Sequence, residues 1–391
     1  MPKVPLRKFA RRLHLWLGLS VGVLLTVICL SGAAVMFYVE LDQWLHTEQL
    51  TSTTNNARTA PDWDQALATV RQQFPDKTGP WRFEVTPSGS HIPARYYNPP
   101  ETQGEGFAPL LVWLSSDGKQ LLRQDYWGHT LMTWLYNLHF QLLLGDTGTL
   151  LVGYIGLVSL LLLISGLIAW WPKRGQWRKG LTFKPRNNTV GWLYDWHKLI
   201  GLAVSLPLLT LTATGVMLAL PKPTAAVLSS LPNQQPQPSL LSGKPASAQA
   251  TPVSLASAIN TLQQHYPHST LAWIEVPPAS GGYYKFRLQL PSDPSRRFPH
   301  SYVQINPYTG AIAATQTINS AGSKEVILSW LHPLHDGSVG GLTLRLIWLI
   351  SGMLVAVLLV LGCWRYVYRR QRKPRPQPTG KAPNQQDTIH C

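Results

Sequence analysis

Four nearly uncharged apolar runs divide the chain: Leu15 to Val39, Thr147 to Trp171, Leu199 to Leu220 and Leu346 to Trp364. Each is close to the roughly 20 residues that a helix rising about 1.5 Å per residue needs to cross about 30 Å of hydrocarbon. The pattern predicts four membrane-spanning helices. Between them, residues 41 to 130 and 221 to 325 are polar and rich in Pro, Gly and Ser. Each of these segments holds one helical stretch followed by strand-like runs. Trp63 to Phe74 and Val253 to Tyr266 read as helices. Leu110 to Leu122 and Tyr302 to Ala313 read as hairpins turning at Ser116-Asp117-Gly118 and at Pro307-Tyr308-Thr309-Gly310. Two small α+β modules are expected, the second entered through a Gln-, Pro- and Ser-rich linker from Ser229 to Thr251.

The chain repeats itself. A shift of 183 residues lays the first run on the third, with His14 on His197, Gly18 on Gly201 and Gly32 on Gly215. A shift of 196 lays the second run on the fourth, with Trp134, Leu135, Leu138 and His139 on Trp330, Leu331, Leu334 and His335. Gly145, Gly156 and Gly166 then fall on Gly341, Gly352 and Gly362. The fold class that follows is a membrane α-helical protein: a four-helix bundle made from a tandem two-helix repeat, with the two modules on one side. Because each half crosses twice, both halves enter from the same side and are related by an axis along the membrane normal. In order, the expected parts are an N-terminal segment and first span (1–40), the first module (41–130), a WLxxLH element with the second span (131–172), and a basic loop (173–192). The third span (193–220), the second module (221–325), a WLxxLH element with the fourth span (326–369) and a basic tail (370–391) complete the chain.

The net charge of +16 becomes intelligible on this plan. Lys and Arg crowd the segment before the first run, the connection after the second and the tail after the fourth, which places both termini in the cytoplasm and the modules in the periplasm. The basic excess is thus a topology signal, and nucleic acid is not an expected partner. The first run, though it follows a basic segment like a signal peptide, reads as an uncleaved anchor because His14 has a counterpart deep in the chain. Cys29, Cys363 and Cys391 offer neither a disulfide framework nor a thiolate metal site.

Four histidines occupy special depths. His14 and His197 lie at the cytoplasmic mouths of the first and third runs, His139 and His335 at the periplasmic mouths of the second and fourth. An isolated boundary imidazole is ordinarily an interfacial residue. These four obey the duplication and form two same-depth pairs, and ionisable groups beside spans are costly enough to mark function. Two imidazoles without a nearby Cys or carboxylate leave a tetrahedral metal site short of donors, whereas haem brings four equatorial nitrogens and needs only axial ligands. The pattern therefore predicts two b-type haems, one held by His14 and His197 and the other by His139 and His335. The glycines beside these histidines are expected to make room for the flat macrocycles. Asp195 and Arg345 are candidates to orient an imidazole or to pair with haem propionates, and His332 is a candidate supporting residue beside His335 or a ligand competing with it. His129 is a candidate cap. His46, His91, His265, His268, His300 and His390, together with Arg82, Arg95, Arg123, Arg296 and Arg297, read as solvated surface.

Arg12-Leu13-His14-Leu15-Trp16-Leu17-Gly18-Leu19, Leu138-His139 with Leu142 to Gly145, Asp195-Trp196-His197-Lys198-Leu199-Ile200-Gly201-Leu202 and Leu331-His332-Pro333-Leu334-His335-Asp336-Gly337 together resemble the PepSY-associated transmembrane family, in particular FoxB-type siderophore reductases of the inner membrane. The resemblance covers nearly the whole chain, with the outside modules matching degenerate PepSY domains more loosely. It implies an inner-membrane oxidoreductase that reduces ferric iron in a hydroxamate siderophore on the periplasmic side and releases ferrous iron. Haem at His14 and His197 would be the electron entry, haem at His139 and His335 the exit. Two other readings stay open: a di-haem protein linking a quinol or cytoplasmic donor to another periplasmic acceptor, and a non-catalytic PepSY module that binds or regulates a partner. No dinucleotide fingerprint follows a strand in the cytoplasmic segments, so the sequence names no electron donor. Nor does it identify a catalytic residue.

Overall fold

A computed structural model describes residues 6–50, 60–184, 188–243, 245 and 251–371. His390, Cys391, most of the basic tail, Lys3, Arg186 and the later part of the Ser229–Thr251 linker lie outside the described residues.

The chain runs α1 (Leu6–Val35), α2 (Tyr38–Leu45), α3 (Thr47–Leu50), α4 (Trp63–Gln73), β1 (Trp81–Glu84), β2 (His91–Tyr96), β3 (Leu110–Ser115), β4 (Leu121–Tyr126), α5 (Leu131–Gln141), α6 (Gly145–Trp170), α7 (Trp177–Leu181), α8 (Thr189–Ala203) and α9 (Ser205–Ala219). It continues with α10 (Pro221–Ser229), α11 (Leu255–His265), β5 (Thr270–Val276), β6 (Tyr284–Gln289), β7 (Ser301–Ile305), β8 (Ile312–Gln316), α12 (Ser323–His335) and α13 (Gly341–Gln371). Three helices, α1, α6 and α13, are long and apolar enough to cross a membrane, and α8 with α9 makes a fourth if that pair is one span. Their outward side chains, among them Val23, Leu24, Leu161, Ile164, Ile350 and Met353, are large, apolar and exposed. Such a surface is stable only in an apolar solvent. α1 packs on α6 of its own half and on α13 of the other, and α9 packs on α6 and α12.

The third apolar run departs from the expected single helix. α8 and α9 meet at Val204 with a bend of 57°. Pro207, in the first turn of α9, has no N–H to give the Ala203 carbonyl, and its ring crowds that carbonyl. The equivalent position in the first half is Leu24, and α1 is continuous there. At its far end α1 stops earlier than the apolar run, at Val35. The Arg345 guanidinium takes the Met36 carbonyl at 2.6 Å, supplying the donor that a terminal helix carbonyl lacks.

The two α+β modules expected from the sequence do not stand apart. Their eight strands form one sheet in the order β4-β3-β2-β1-β5-β6-β7-β8, every neighbouring pair antiparallel. The halves join where β1 pairs with β5, in the register Trp81 to Val276 and Phe83 to Ile274. Alternation along the strands gives the sheet two different faces. Phe83, Ala94, Val112, Leu114, Ile274, Phe286, Leu288, Val303 and Ile305 form a core beneath α4 and α11. Asp64 of α4 accepts from the backbone N–H groups of Leu255 and Ala256 at 2.6 and 3.1 Å, placing a carboxylate of one half on the positive end of the other half's helix. The opposite face carries Arg82, Glu84, Arg95, Trp273, Glu275, Lys285 and Arg287. Leu111 and Trp113 on that side pack with Tyr38, Trp127 and Met132, which ties the sheet to α2 and α5.

Candidate functional site

The WLxxLH elements are separate short helices: α5 packs on α1 and α6, and α12 packs on α9. The chain reverses through residues with left-handed backbone: Leu142 at φ 49°, Leu143 at φ 60° and Gly145 at φ 59° in the first half, Gly337 at φ 72° and Gly341 at φ 59° in the second. Leu142 and Leu143 carry a Cβ where only glycine is unstrained, so the reversal stores strain on the way to His139. Thr130 and Thr133 close a capping box at the start of α5, and Trp127 Nε1 donates to Asn137 Oδ1 at 2.7 Å. At the other reversal Trp348 Nε1 donates to the Leu334 carbonyl at 2.8 Å.

These elements bring the four histidines into two pairs. The ring centres of His14 and His197 are 6.0 Å apart with planes crossing at 77°. Those of His139 and His335 are also 6.0 Å apart, with planes at 30°. Eighteen residues of α1 separate His14 from Gly32, against which His139 lies, so the pairs sit about 27 Å apart along that helix.

Hydrogen bonds set each ring. His14 Nδ1–H donates to the Leu162 carbonyl at 3.0 Å and His197 Nδ1–H to Leu358 at 3.0 Å, positions that differ by the same 196 residues as the second repeat. His139 Nδ1–H donates to the Ile28 carbonyl at 2.8 Å. His335 Nδ1 lies 3.0 Å from the Thr214 hydroxyl and also bonds the backbone of Leu211, the repeat partner of Ile28. A carbonyl only accepts, so the hydrogen is on Nδ1 and Nε2 is left with its lone pair. Orienting a ligand imidazole through its far nitrogen is the usual way such rings are fixed for a metal.

Glycines set how deep the rings go. A Cβ on Gly32 would stand 2.6 Å from His139 Cε1, one on Gly166 2.8 Å from His14 Cε1, one on Gly215 3.0 Å from His335 Cε1 and one on Gly362 3.5 Å from His197 Cε1. The expectation that glycine clears room for a macrocycle beside its own helix's histidine is corrected. Gly32 and Gly215 admit the imidazole of the opposite pair from within the same half, while Gly18 and Gly201 face Leu162 and Leu358 at 3.8 and 3.7 Å. Gly166 and Gly362, aligned by the repeat but given no role in the sequence, are the glycines that receive His14 and His197.

The donor set discriminates among metals. Among the described residues, no group of three or more His, Cys, Asp or Glu side chains converges as a metal site. A bare zinc ion would find two ligands, half of a tetrahedral set. A porphyrin iron needs two. Two metal–nitrogen bonds of about 2 Å, plus about 1 Å from each nitrogen to its ring centre, give a span of about 6 Å, the separation found in both pairs. On spacing, tautomer and donor count, the residues fit haem at both levels.

The supporting candidates are placed differently from expectation. Arg345 is spent on the end of α1: besides Met36 it holds Glu40 at 2.6 and 3.0 Å and lies 4.3 Å over the Phe37 ring. Asp195 is fully buried and takes Lys198 Nζ at 3.1 Å. The His332 ring stacks on Phe298 at 4.7 Å, on the sheet side of α12. The part in orienting imidazoles falls instead to backbone carbonyls and Thr214. His129 pairs with Glu105 at 2.7 Å and takes no part in the cap of α5. His265 and His268 are exposed, as expected, and His46 is half-buried against the Asp42 carbonyl. His91 is buried, and His300 is pushed down to about 4 by burial and then by Arg287 and His332, so both depart from the solvated reading. Arg123 is buried too, bonded to Asp42 and stacked 4.2 Å over Trp113.

The model of the PepSY-associated TM region matches residues 11–369, a stretch that includes all four histidines and both halves of the sheet. The chain belongs to this family. Curated proteins give no match. Membership of the PepSY-associated TM region family agrees with a membrane protein whose apolar helices accompany an antiparallel sheet domain.

The two ring geometries predict a spectroscopic difference. Each imidazole donates π density into one iron d orbital, so near-parallel rings load the same orbital while crossed rings load two equally. In the haem-loaded ferric protein, electron paramagnetic resonance should therefore show two low-spin signals: a strongly axial one from the pair crossed at 77° and a rhombic one from the pair at 30°. Two identical rhombic signals would contradict the geometry.

Proposed function

We propose that this family member is a di-haem b reductase of the bacterial inner membrane, carrying electrons across the bilayer to reduce a ferric siderophore of hydroxamate type in the periplasm. Both termini then lie in the cytoplasm, and the eight-stranded sheet lies in the periplasm. The observation that carries the reading is the repeated pair of facing imidazoles, near opposite ends of one bundle and each at a separation suited to a six-coordinate iron. When bound, haem supplies one-electron chemistry between ferric and ferrous iron.

The chain's own residues do the rest. His14 with His197, and His139 with His335, would hold the two haems, and iron held by two imidazoles would favour electron transfer over oxygen binding. Leu162, Ile28, Leu358, Leu211 and Thr214 hold the imidazoles in the tautomer that offers Nε2. The bundle fixes the distance between the two sites. The FoxB-like pattern around His14, His139, His197 and His335 supports the substrate class. Ferric hydroxamates hold iron tightly and ferrous ones loosely, so one electron suffices for release. The donor is a quinol or a cytoplasmic reductant.

Stopped-flow mixing tests the substrate. Dithionite-reduced protein should be reoxidised, under anaerobic conditions, by a ferric hydroxamate siderophore at a rate that rises with its concentration, and a ferrous-iron chelator should develop colour in step. Haem that stays reduced with ferric hydroxamates present would exclude this function and favour another periplasmic acceptor.

A further inference from the structure

Arg297 enters the space between the sheet and the bundle from the loop joining β6 and β7. Its backbone is held there, since the Trp273 indole donates to its carbonyl at 2.7 Å. The guanidinium is half-buried and only loosely paired. Its Nε is buried without any hydrogen-bond partner, and no side-chain hydrogen bond of Arg297 occurs among the described residues. Its nearest carboxylate, Glu84, stands 3.6 Å away and is shared with Arg95 at 3.7 Å. The remaining neighbours are aromatic faces, Tyr38 at 5.4 Å and Phe298 at 5.5 Å. Of its five N–H donors, the Nε–H is buried and unmade, which costs a fold free energy that a partner oxygen would recover. Arg345 and Arg123, by contrast, are both hydrogen-bonded to carboxylates.

Position says which site Arg297 serves. Phe298 lies against His332, one turn before His335 on α12. Tyr38 meets Tyr136, one turn before His139 on α5, with ring centres 5.8 Å apart. Arg297 thus stands over the two elements that carry the sheet-side histidine pair, and Tyr136 and Asp336 are close enough to act on its charge. Burial works against that charge, but the field of Glu84, followed by Tyr136, Tyr38 and Asp336, keeps the group firmly cationic.

We infer that Arg297 is the carboxylate-binding cation for the propionates of the haem held by His139 and His335, and that by neutralising them it raises the potential of that haem. The inference rests on the proposed di-haem reading and assigns it a residue from the sheet domain, so that the sheet shapes the redox site as well as covering it. It also replaces Arg345, whose donors are occupied at the end of α1. The same chemistry would suit a carboxylate or hydroxamate substrate, and the test separates the two.

The experiment is a potentiometric titration of the purified, haem-replete full chain as wild type, Arg297→Gln, Arg297→Lys, Glu84→Gln and His14→Ala, first without and then with ferric hydroxamate. In Arg297→Gln, one of the two one-electron components should fall by a tenfold or larger change in its oxidised-to-reduced equilibrium, about 59 mV or more. The other should stay in place. The component that moves should be the one retained in His14→Ala. Glu84→Gln, which removes a negative charge beside the same group, should move that component upward, and Arg297→Lys should recover most of the loss. Selective loss of one haem from Arg297→Gln, with the other kept, would support the anchor as well. Two intact haems with both potentials unmoved in Arg297→Gln and Glu84→Gln would overturn the assignment alone, and a shift only when ferric hydroxamate is added would move Arg297 to the substrate. A colourless wild-type protein would overturn the proposed function itself.

Discussion

Single alanine substitutions at the histidines should halve the haem content, from about two per chain to about one, and should do so in a paired pattern. His14→Ala and His197→Ala should lose the same haem, and His139→Ala and His335→Ala the other. The reason is geometric: each pair has ring centres 6.0 Å apart, and among the described residues no third metal ligand converges on it. With one imidazole removed, haem at that level would keep a single protein ligand. Added imidazole should restore part of the lost haem and its low-spin spectrum, because the cavity left by the side chain fits that molecule. Haem content by pyridine haemochrome and the paramagnetic signal that survives give the pairing directly. Retention of two low-spin haems in any one of the four variants would remove that histidine from the ligand set.

A single methyl group at the right glycine should be nearly as damaging. Gly32→Ala would put a Cβ 2.6 Å from His139 Cε1, and Gly166→Ala one 2.8 Å from His14 Cε1, both closer than atoms pack. The imidazole cannot simply retreat, since Ile28 and Leu162 hold its Nδ1–H from the same helix that carries the glycine. The ring must tilt off its axis or the helices must part. Overpacking of this kind costs about 1 to 3 kcal/mol, and here it falls on the imidazole that would hold the iron. Gly32→Ala should therefore lose or convert to high spin the haem of His139 and His335, and Gly166→Ala that of His14 and His197. Gly18→Ala and Gly201→Ala meet ordinary contacts of 3.8 and 3.7 Å and should keep both haems. Equal behaviour of all four variants in the visible spectrum would refute the seating of imidazoles on glycine.

Much of this site was legible in the sequence because the duplication supplies internal evidence. His14 with His197 and His139 with His335 stand at corresponding places of two halves, and two spans of equal polarity fix their depth. The lengths of the apolar runs likewise announce α1, α6 and α13. What was hidden depends on tertiary neighbours. Pro207 bends the third run at Val204, whereas the same apolar pattern in the first half stays straight with Leu24. The union of the modules into one sheet was not readable, since alternation tells which residues share a face and says nothing of which strand lies next. β1 has four residues and β2 contains Pro93, so neither announces itself as the middle of an eight-stranded sheet. Arg297 and Arg123 sit in polar segments where a charge is expected to be solvated. Arg123 is buried, and Arg297 half-buried, by packing of the sheet on α2 and α5, a contact between residues more than 80 positions apart in the case of Arg123 and Asp42.

The central claim is that two facing imidazole pairs hold iron porphyrin at two levels of one bundle. Haem and protein quantified on the same sample of wild-type chain, expressed with ample haem and purified in detergent, test it most directly. The account predicts about two b-type haems per chain with a sharp low-spin Soret band and a reduced α-band. Protein that is folded, membrane-extracted and colourless would contradict it.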